Sequence, residues 1–103
     1  MFNNYNIIMG NINFEWDENK NIINIQKHKI SFEEAKTVFY DENGIIISDE
    51  EHSENEDRFI LLGMSQKANI LVVCHCIRYG DTIRIISSRK ATKQETNQYY
   101  EFL

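Results

Sequence analysis

The sequence predicts an α+β fold in which helices pack on a mostly antiparallel sheet, in the order β-α-α-β-β-β-β-α. Two capping signatures, S-x-x-E from Ser31 to Glu34 and T-x-x-E from Thr92 to Glu95, mark helix starts. Runs rich in β-branched residues follow one another in the second half of the chain, separated by segments of hairpin length. The 103 residues contain no proline, repeat or linker, so we expect residues 11–103 to form a single domain after an N-terminal extension, residues 1–10.

The first half of the chain is predicted to supply one strand and two helices. A short strand at residues 11–16 precedes a helix that Asp17 caps and that runs to about Lys27. Ile22 and Ile25 are expected to face the core from this helix. Its opposite side is predicted to be a polar stripe, because helical spacing aligns Lys20, Asn24, Lys27 and His28. The second helix begins after the Ser31 cap and ends near residue 39.

The second half is predicted to be an antiparallel meander closed by a helix. The four strands are expected at residues 44–48, 57–64, 69–77 and 82–88. An acidic loop, residues 49–56, separates the first two of them. The final helix starts after the Thr92 cap and carries Tyr99 and Phe102 on one side.

The charge of the chain is segregated. The net charge of −5 argues superficially against a nucleic-acid partner. However, residues 41–57 hold eight carboxylates and no Lys or Arg, and the remainder has 11 basic and 8 acidic residues. The basic side chains concentrate near the end of the predicted meander, where they are Arg78, Arg84, Arg89, Lys90 and Lys93. One part of the molecule is therefore expected to be cationic.

The cysteines and the apolar runs point to an intracellular protein without a metal. Cys74 and Cys76 are interpreted as small buried hydrophobes, and a strand would point His75 away from both of them. No second Cys or His cluster follows at zinc-finger spacing, so no structural metal is expected. No apolar run approaches the ~18 residues that span a bilayer, and the start does not resemble a signal peptide. We therefore expect a cytoplasmic protein with no membrane partner.

The last predicted strand carries a candidate anion site. Arg84 lies within the strand and Arg89 at its exit, just before the Thr92 helix cap. Guanidinium groups and backbone N–H groups at a helix start can converge on one phosphate. The alternative is that both are surface arginines on a strand edge.

Three further residues are candidates for proton transfer or charge stabilisation. His75 is either a satisfied core histidine or a proton acceptor kept neutral by Arg78 and Arg84. His28 has the same two interpretations at the end of the first helix. Arg58 either pairs with neighbouring carboxylates or faces the cationic cleft. His52, in the acidic loop, is interpreted as solvated.

Such a set suits cleavage of RNA. The substrate's 2′-OH is the nucleophile, so the protein has to orient it, take its proton and stabilise charge on the phosphate oxygens. Arginine suits the last task because it stays protonated and binds two oxygens at once. Neither a metal nor a cofactor is required, and the carboxylates do not interleave with the basic residues as a two-metal nuclease demands. Composition and spacing do not separate RNA cleavage from RNA binding.

The succession of motifs resembles the BrnT family of type II toxin–antitoxin toxins. The motifs, in order, are FEWD (14–17), Lys20, Asn24, KH (27–28), ISFEEA (30–35), DR (57–58), Gly63, VCHC (73–76) with Arg78, and IRIISSRKAT (83–92) with Glu95 and Tyr99. The resemblance covers nearly the whole chain, from about Ile12 to Glu101. Ser88 stands where the family more often has Ala, and residues 1–8 precede the usual family start, for which Met9 is a natural initiation site.

The resemblance implies a RelE-like fold and a ribosome-independent ribonuclease that arrests growth. It also implies neutralisation by a BrnA-type antitoxin with a ribbon-helix-helix region, through which the complex contacts operator DNA. The family motif implies functional roles for Lys27, His28, Arg58, His75, Arg78, Arg84 and Arg89. We infer that the catalytic residues are His28, Arg58, His75, Arg84 and Arg89. The RNA-binding residues are expected to be Lys20, Lys27, Arg78 and Lys90.

Within that set we assign Arg84 and Arg89 to the phosphate and either His75 or His28 to proton transfer. Two other interpretations stay open. One is a non-catalytic module that binds an antitoxin and tunes repression, using the apolar segments 45–47 or 99–102. The other is an inactive family member, because the acidic loop would repel RNA. The same loop could instead guide a basic antitoxin, which predicts association that slows steeply with added salt.

Overall fold

The structure, a computed structural model, describes residues 12–48 and 57–103 and has the predicted α+β architecture. Its elements are β1 (Asn13–Glu15), α1 (Glu18–His28), α2 (Phe32–Thr37) with a 3-10 turn (Val38–Tyr40), β2 (Ile45–Ser48), β3 (Arg58–Met64), β4 (Ile70–Arg78), β5 (Thr82–Lys90) and α3 (Lys93–Glu101). The predicted order of strands and helices is confirmed. The expected extension, residues 1–10, and the acidic loop, residues 49–56, lie outside the described residues.

The five strands form one sheet in the order β1-β5-β4-β3-β2. Strands β2 to β5 are consecutive antiparallel neighbours, as the short connections predicted. The short strand β1 adds to the other edge of β5 in parallel, through residue pairs from Asn13↔Thr82 to Glu15↔Arg84. This pairing covers only the first part of β5, so its second part has no strand on that side among the described residues.

The two faces of the sheet are covered differently. The α1 and α2 segments pack on one face, where Phe32 and Phe39 join Leu61, Val73 and Ile85 in the main core. We call this the core face. On the opposite face α3 covers one end, where Tyr99 packs with three strand residues, Ile45, Leu62 and Val72. The other end of that face carries the basic side chains described below.

Helix α1 is turned differently from the prediction. The expectation that Ile22 and Ile25 face the core is wrong, because their side chains are 48% and 40% exposed. Asn21 and Asn24 are buried instead. Asn24 therefore does not belong to the predicted exposed stripe.

Hydrogen bonding explains why the asparagines face inward. The Asn24 amide pairs with both backbone groups of Ser88, donating to its carbonyl at 2.8 Å and accepting from its N–H at 3.1 Å. It also donates to the carbonyl of Ile30 at 2.8 Å, while Asn21 accepts from the N–H of Phe32 at 2.8 Å. Buried backbone groups need such partners. Asn24 thus supplies, at the bare edge of β5, the hydrogen bonds that a further strand would have made.

The predicted helix caps are present. The carboxylate of Asp17 accepts from two N–H groups at the start of α1, and the Thr92–Glu95 capping box is complete. Ser31 caps α2, but its box is only half formed. The Glu34 carboxylate instead accepts from the hydroxyl of Ser65 at 2.6 Å and from the Asn69 amide at 2.8 Å, which ties α2 to the β3–β4 turn. No described helix is long and apolar enough to cross a membrane.

Candidate active site

The strand register gathers four arginines on the face opposite the core face. Arg58, Cys76 and Arg84 lie opposite one another on three neighbouring strands. Directly opposed residues in antiparallel strands point to the same side, and so do residues two apart along one strand. Arg78 shares this side, because it lies two residues beyond Cys76. Arg89 shares it too, because it lies opposite Val72. We call this surface the arginine face.

A register shift makes this gathering possible. Arg84 and Arg89 are five residues apart, so a regular strand would point them to opposite faces. The pairing of β4 with β5 shifts between Cys74↔Ser87 and His75↔Ile85, which leaves Ile86 as an extra residue. Such a bulge restores the two arginines to one side. The strand predicted from the sequence was regular and lacked this bulge.

A cavity of about 260 Å³ opens beside this face. Its polar lining includes His28, Arg58, Ser87 and Arg89, and its apolar lining comprises Ile60, Val72, Cys74 and Ile86. His28 reaches it from the end of α1. Because Asn24 precedes His28 by one helical turn, the bonds between Asn24 and Ser88 fix the end of α1 beside the cavity.

Arg89 is held by Glu95 from the first turn of α3. Two parallel hydrogen bonds join them, Nη1 to Oε1 at 2.7 Å and Nη2 to Oε2 at 3.0 Å. The hydrogen bonds from Arg89 lower the pKa of Glu95 to about 2, and the same contact raises the pKa of Arg89. The Glu95 carboxylate also accepts from the N–H of Thr92 at 2.8 Å. It thus occupies the position at the helix start where a bound phosphate was expected.

Arg84 is paired in a similar way. Its Nη1 lies 2.8 Å from Oε2 of Glu15, which stands directly opposite on β1, and both side chains are partly exposed. Arg58 and Arg78 are also partly buried, and their Nε atoms are not accessible to solvent. Arg58 lines the cavity, whereas Arg78 lies farther along the same face.

The structure does not place His75 in the cavity that His28, Arg58 and Arg89 line. His75 is 0% exposed and lies on the core face, where its ring centroid is 4.8 Å from that of Phe39 and 6.0 Å from that of Phe59. Its Nδ1 lies 3.3 Å from the carbonyl oxygen of Val73. Burial lowers its pKa to about 4, so desolvation rather than neighbouring cations keeps it neutral.

The described residues give no cluster of metal ligands. Within 12–48 and 57–103, no three His, Cys, Asp or Glu side chains come together in a group that could hold a metal ion. Both cysteines are free thiols, Cys76 buried and Cys74 partly exposed at the cavity.

Comparison with known proteins identifies the family. A family model described as "Ribonuclease toxin, BrnT, of type II toxin-antitoxin system" matches residues 16–95, most of the chain. The chain belongs to the BrnT toxin family.

The fold agrees with a solved structure from this family. The crystal structure of the ribonuclease toxin BrnT of Brucella abortus is 21% identical in sequence and superposes with a TM-score of 0.62. The match covers 80% of this chain and 99% of the Brucella chain. No curated protein matches the chain. The predicted α+β fold, with helices packed on a mostly antiparallel sheet, is thereby confirmed.

The remaining predicted site residues of this BrnT-family chain lie outside the cavity. Lys20 and Lys27 are exposed on α1, and Lys90 is exposed at the end of β5. Of the nine residues proposed from the sequence, the cavity lining includes three, His28, Arg58 and Arg89. Arg84 and Arg78 share the arginine face without lining the cavity.

Three residues that shape this site were absent from the predicted set. Glu95 and Glu15 hold two of the arginines, and Asn24 fixes the helix that carries His28. The contact made by Glu95 could have been predicted from the T-x-x-E pattern. In a capping box the carboxylate turns back toward the N-cap, and Arg89 lies three residues before Thr92. The other two contacts join residues 69 and 64 positions apart, so no local pattern indicates them.

Proposed function

We propose that this chain is a metal-independent endoribonuclease toxin that acts in the cytoplasm and arrests growth, and that residues 11–103 act as a single toxin domain. The observation that carries the proposal is the cavity in which His28, Arg58 and Arg89 meet at the edge of an arginine-rich face. It offers an imidazole that can transfer a proton beside permanent cations, which is what cleavage by an internal 2′-OH needs.

We propose that His28 is the general base that accepts the proton of the 2′-OH. It is partly exposed at the cavity, unlike His75, so substrate and solvent can both reach it. His52 lies outside the described residues. We assign protonation of the leaving 5′-oxygen to solvent, because the described residues that line the cavity include no second titratable acid besides the Cys74 thiol.

We propose that Arg58 stabilises the negative charge on the scissile phosphate and that Arg89 donates further hydrogen bonds to the same phosphate. A guanidinium has five N–H groups, and the contacts with Glu95 and with the Lys90 carbonyl use three of those on Arg89. Two remain for a phosphate oxygen. Arg84 and Arg78 then serve the flanking phosphates on the same face, and Lys90 extends the cationic surface beyond them.

Cleavage of a single-stranded RNA in EDTA tests the mechanism. The expected products end in a 2′,3′-cyclic phosphate, and a substrate with 2′-deoxy residues stays intact. We expect His28→Gln and Arg58→Ala each to lower the rate by about 100-fold or more. Lys67→Ala, an exposed change in the β3–β4 turn, is the matched control and should cut at the wild-type rate.

Loss of cleavage in chelator, or products with 5′-phosphates, would contradict the metal-free mechanism. Growth arrest that survives His28→Gln and Arg58→Ala would instead support the non-catalytic alternative.

We further propose that an antitoxin with a ribbon-helix-helix region neutralises the toxin and that the complex contacts operator DNA through the antitoxin. Membership of a type II toxin–antitoxin family supports this. Co-expression of the chain with the product of the adjoining reading frame tests it. Restored growth together with a stable complex is the expected result, and growth arrest despite the antitoxin contradicts it.

A further inference from the structure

The solvent side of α1 carries an apolar surface that the fold itself does not use. Ile22, Ile23 and Ile25 are 48%, 59% and 40% exposed, and we call these three residues the isoleucine face. The inward side of the same helix is made by Asn21 and Asn24. The usual arrangement of an amphipathic helix is reversed.

Neither helix formation nor solubility explains these isoleucines. β-Branched residues are weaker helix formers than Lys, Glu or Gln, which a solvent-facing helix surface normally carries. Each exposed isoleucine also forgoes the free energy of removing its apolar surface from water. Large apolar side chains that one helix exposes among polar residues are typical of a protein interface.

The charges around the isoleucine face are mostly basic. Lys20 and Lys27 lie three residues before and four residues after Ile23, so they border it on the helix surface. Lys29 follows at the C-cap. Within α1 the acidic residue is Glu18, whose carboxylate accepts from the Trp16 Nε1 and the Asn21 amide, at 3.1 and 2.8 Å. A partner that complements this surface is apolar along its centre and acidic at its margins.

We propose that the isoleucine face binds an amphipathic, acidic helix of the antitoxin. This rests on the proposed function for the existence of that partner. The face lies along an α-helix of 11 residues, and a second helix covers such a ridge most completely. RNA fits it less well, because isoleucine side chains offer nothing to phosphates and do not stack with bases as aromatic rings do.

This position explains how binding blocks the active site. Ile25 precedes His28 by three residues, so the two side chains are neighbours on the helix surface. His28 lines the cavity. A partner helix that covers Ile25 therefore ends beside the cavity and excludes RNA from it.

Titration calorimetry of the full chain with the antitoxin from the adjoining reading frame tests the proposal. We expect the double variant Ile22→Asn, Ile23→Asn to bind about 30-fold or more weakly while cleaving RNA at the wild-type rate. The matched control is Ile47→Asn, which changes an isoleucine of similar exposure, 52%, on the edge strand β2 and should bind normally. Charge reversal at Lys20 and Lys27 is expected to weaken binding by about tenfold, with a loss of salt dependence.

The possible outcomes separate this inference from the function on which it rests. Normal binding by the double isoleucine variant overturns the inference and leaves the toxin function intact. Failure of the wild type to bind the antitoxin overturns both the inference and the proposed partner. If the isoleucine changes instead alter the oligomeric state, or raise the KM for RNA, with antitoxin binding unchanged, the face serves a second copy or the substrate and the inference is wrong.

Discussion

Asn24 shows how one side chain can complete a sheet edge. It is 5% exposed and makes three hydrogen bonds, two to Ser88 and one to the Ile30 carbonyl. A strand at this edge would satisfy the same backbone groups, but β1 ends at Glu15. Helix α1 therefore docks through hydrogen bonds, which leaves its isoleucines outside.

Asn24→Ala is expected to lower the free energy of unfolding by about 3 kcal/mol. The change leaves the Ser88 N–H and two carbonyl groups buried without their partner, and each unsatisfied group costs about 1–3 kcal/mol. Urea unfolding measures the effect. Asn19→Ala, an exposed change in the same helix, is the control, with an expected effect within about 0.5 kcal/mol. Equal stability of the two variants would show that the contacts with Ser88 do not hold α1.

His75 is expected to make stability fall as the pH is lowered. Burial lowers its pKa from 6.5 to about 4, so the unfolded chain takes up a proton at a higher pH than the folded chain does. Protons therefore favour unfolding below pH 6.5, and the effect is complete near pH 4. Between pH 7 and pH 5 the loss attributable to His75 is about 2 kcal/mol.

Unfolding at several pH values, compared between wild type and His75→Leu, measures this contribution. The variant is expected to lose the slope between pH 7 and pH 5, whereas Phe39→Leu, a core change beside it, should keep that slope. A wild-type slope in His75→Leu would contradict the assignment. Glu95 contributes little in this range, because its pKa is 4.5 in the unfolded chain and about 2 in the folded chain, so its effect on stability develops mainly below pH 5.

At the scale of elements, α3 is held by its two ends. Its start is tied by the bonds between Glu95 and Arg89, and its last turn by Tyr99, whose hydroxyl donates to Asp41 at 2.6 Å. Burial, with the hydrogen bond to Asp41, raises the pKa of Tyr99. The phenol therefore stays protonated and remains a donor.

Tyr99→Phe is expected to destabilise the fold by about 1.5 kcal/mol. The change removes a hydrogen bond to a charged acceptor and leaves the packing of the ring intact. Tyr100→Phe is a matched control, since Tyr100 is 50% exposed on the same turn and should change stability by less than about 0.5 kcal/mol. Thermal unfolding of both variants measures the difference. Equal melting temperatures would show that the hydrogen bond to Asp41 contributes nothing to stability.

The contact between β3 and the 3-10 turn depends on Gly63. A Cβ at this position would lie 2.8 Å from Cγ1 of Val38 and 3.1 Å from Oδ2 of Asp41. Gly63→Ala is therefore expected to cost about 2 kcal/mol from overpacking. Val38→Ala in the same chain removes the nearest atom, so the double variant should be more stable than the sum of the two single effects predicts. Simple additivity in chemical unfolding would show that the two residues do not meet.

At the scale of the whole molecule, a chain of net charge −5 presents a cationic face. The fold places Arg58, Arg78, Arg84 and Arg89 on one side of the sheet, so the local field there differs from that of the molecule as a whole. Glu15 and Glu95 each offset one of these charges. The net charge is therefore a poor guide to the partner.

Binding of a 2′-deoxy RNA analogue is expected to weaken steeply with salt. Each phosphate contact on single-stranded nucleic acid contributes about −0.7 to the slope of log affinity against log salt concentration. Arg78→Ala should reduce the magnitude of the slope by about that amount, and Lys67→Ala, at the other end of β4, should leave it unchanged. If the slope is unchanged in Arg78→Ala, Arg78 does not contact RNA phosphates. Fluorescence anisotropy at several salt concentrations provides the measurement.

The sequence alone determined the kind, order and starting points of the elements. These depend on local chemistry, since Asp17, Ser31 and Thr92 cap helices and β-branched runs form strands. Tertiary structure decided the orientation of α1, because hydropathy favoured burial of Ile22 over burial of Asn24, and only a distant strand edge reverses that preference.

Tertiary structure also decided the composition of the site. His75 and Arg84 are close in the predicted hairpin, but strand alternation puts them on opposite faces of the sheet. His28, Arg58 and Arg89 lie far apart in the sequence and line one cavity. Residue types thus predicted an anion-binding surface, while its geometry depended on register and long-range hydrogen bonds, which a local pattern does not encode.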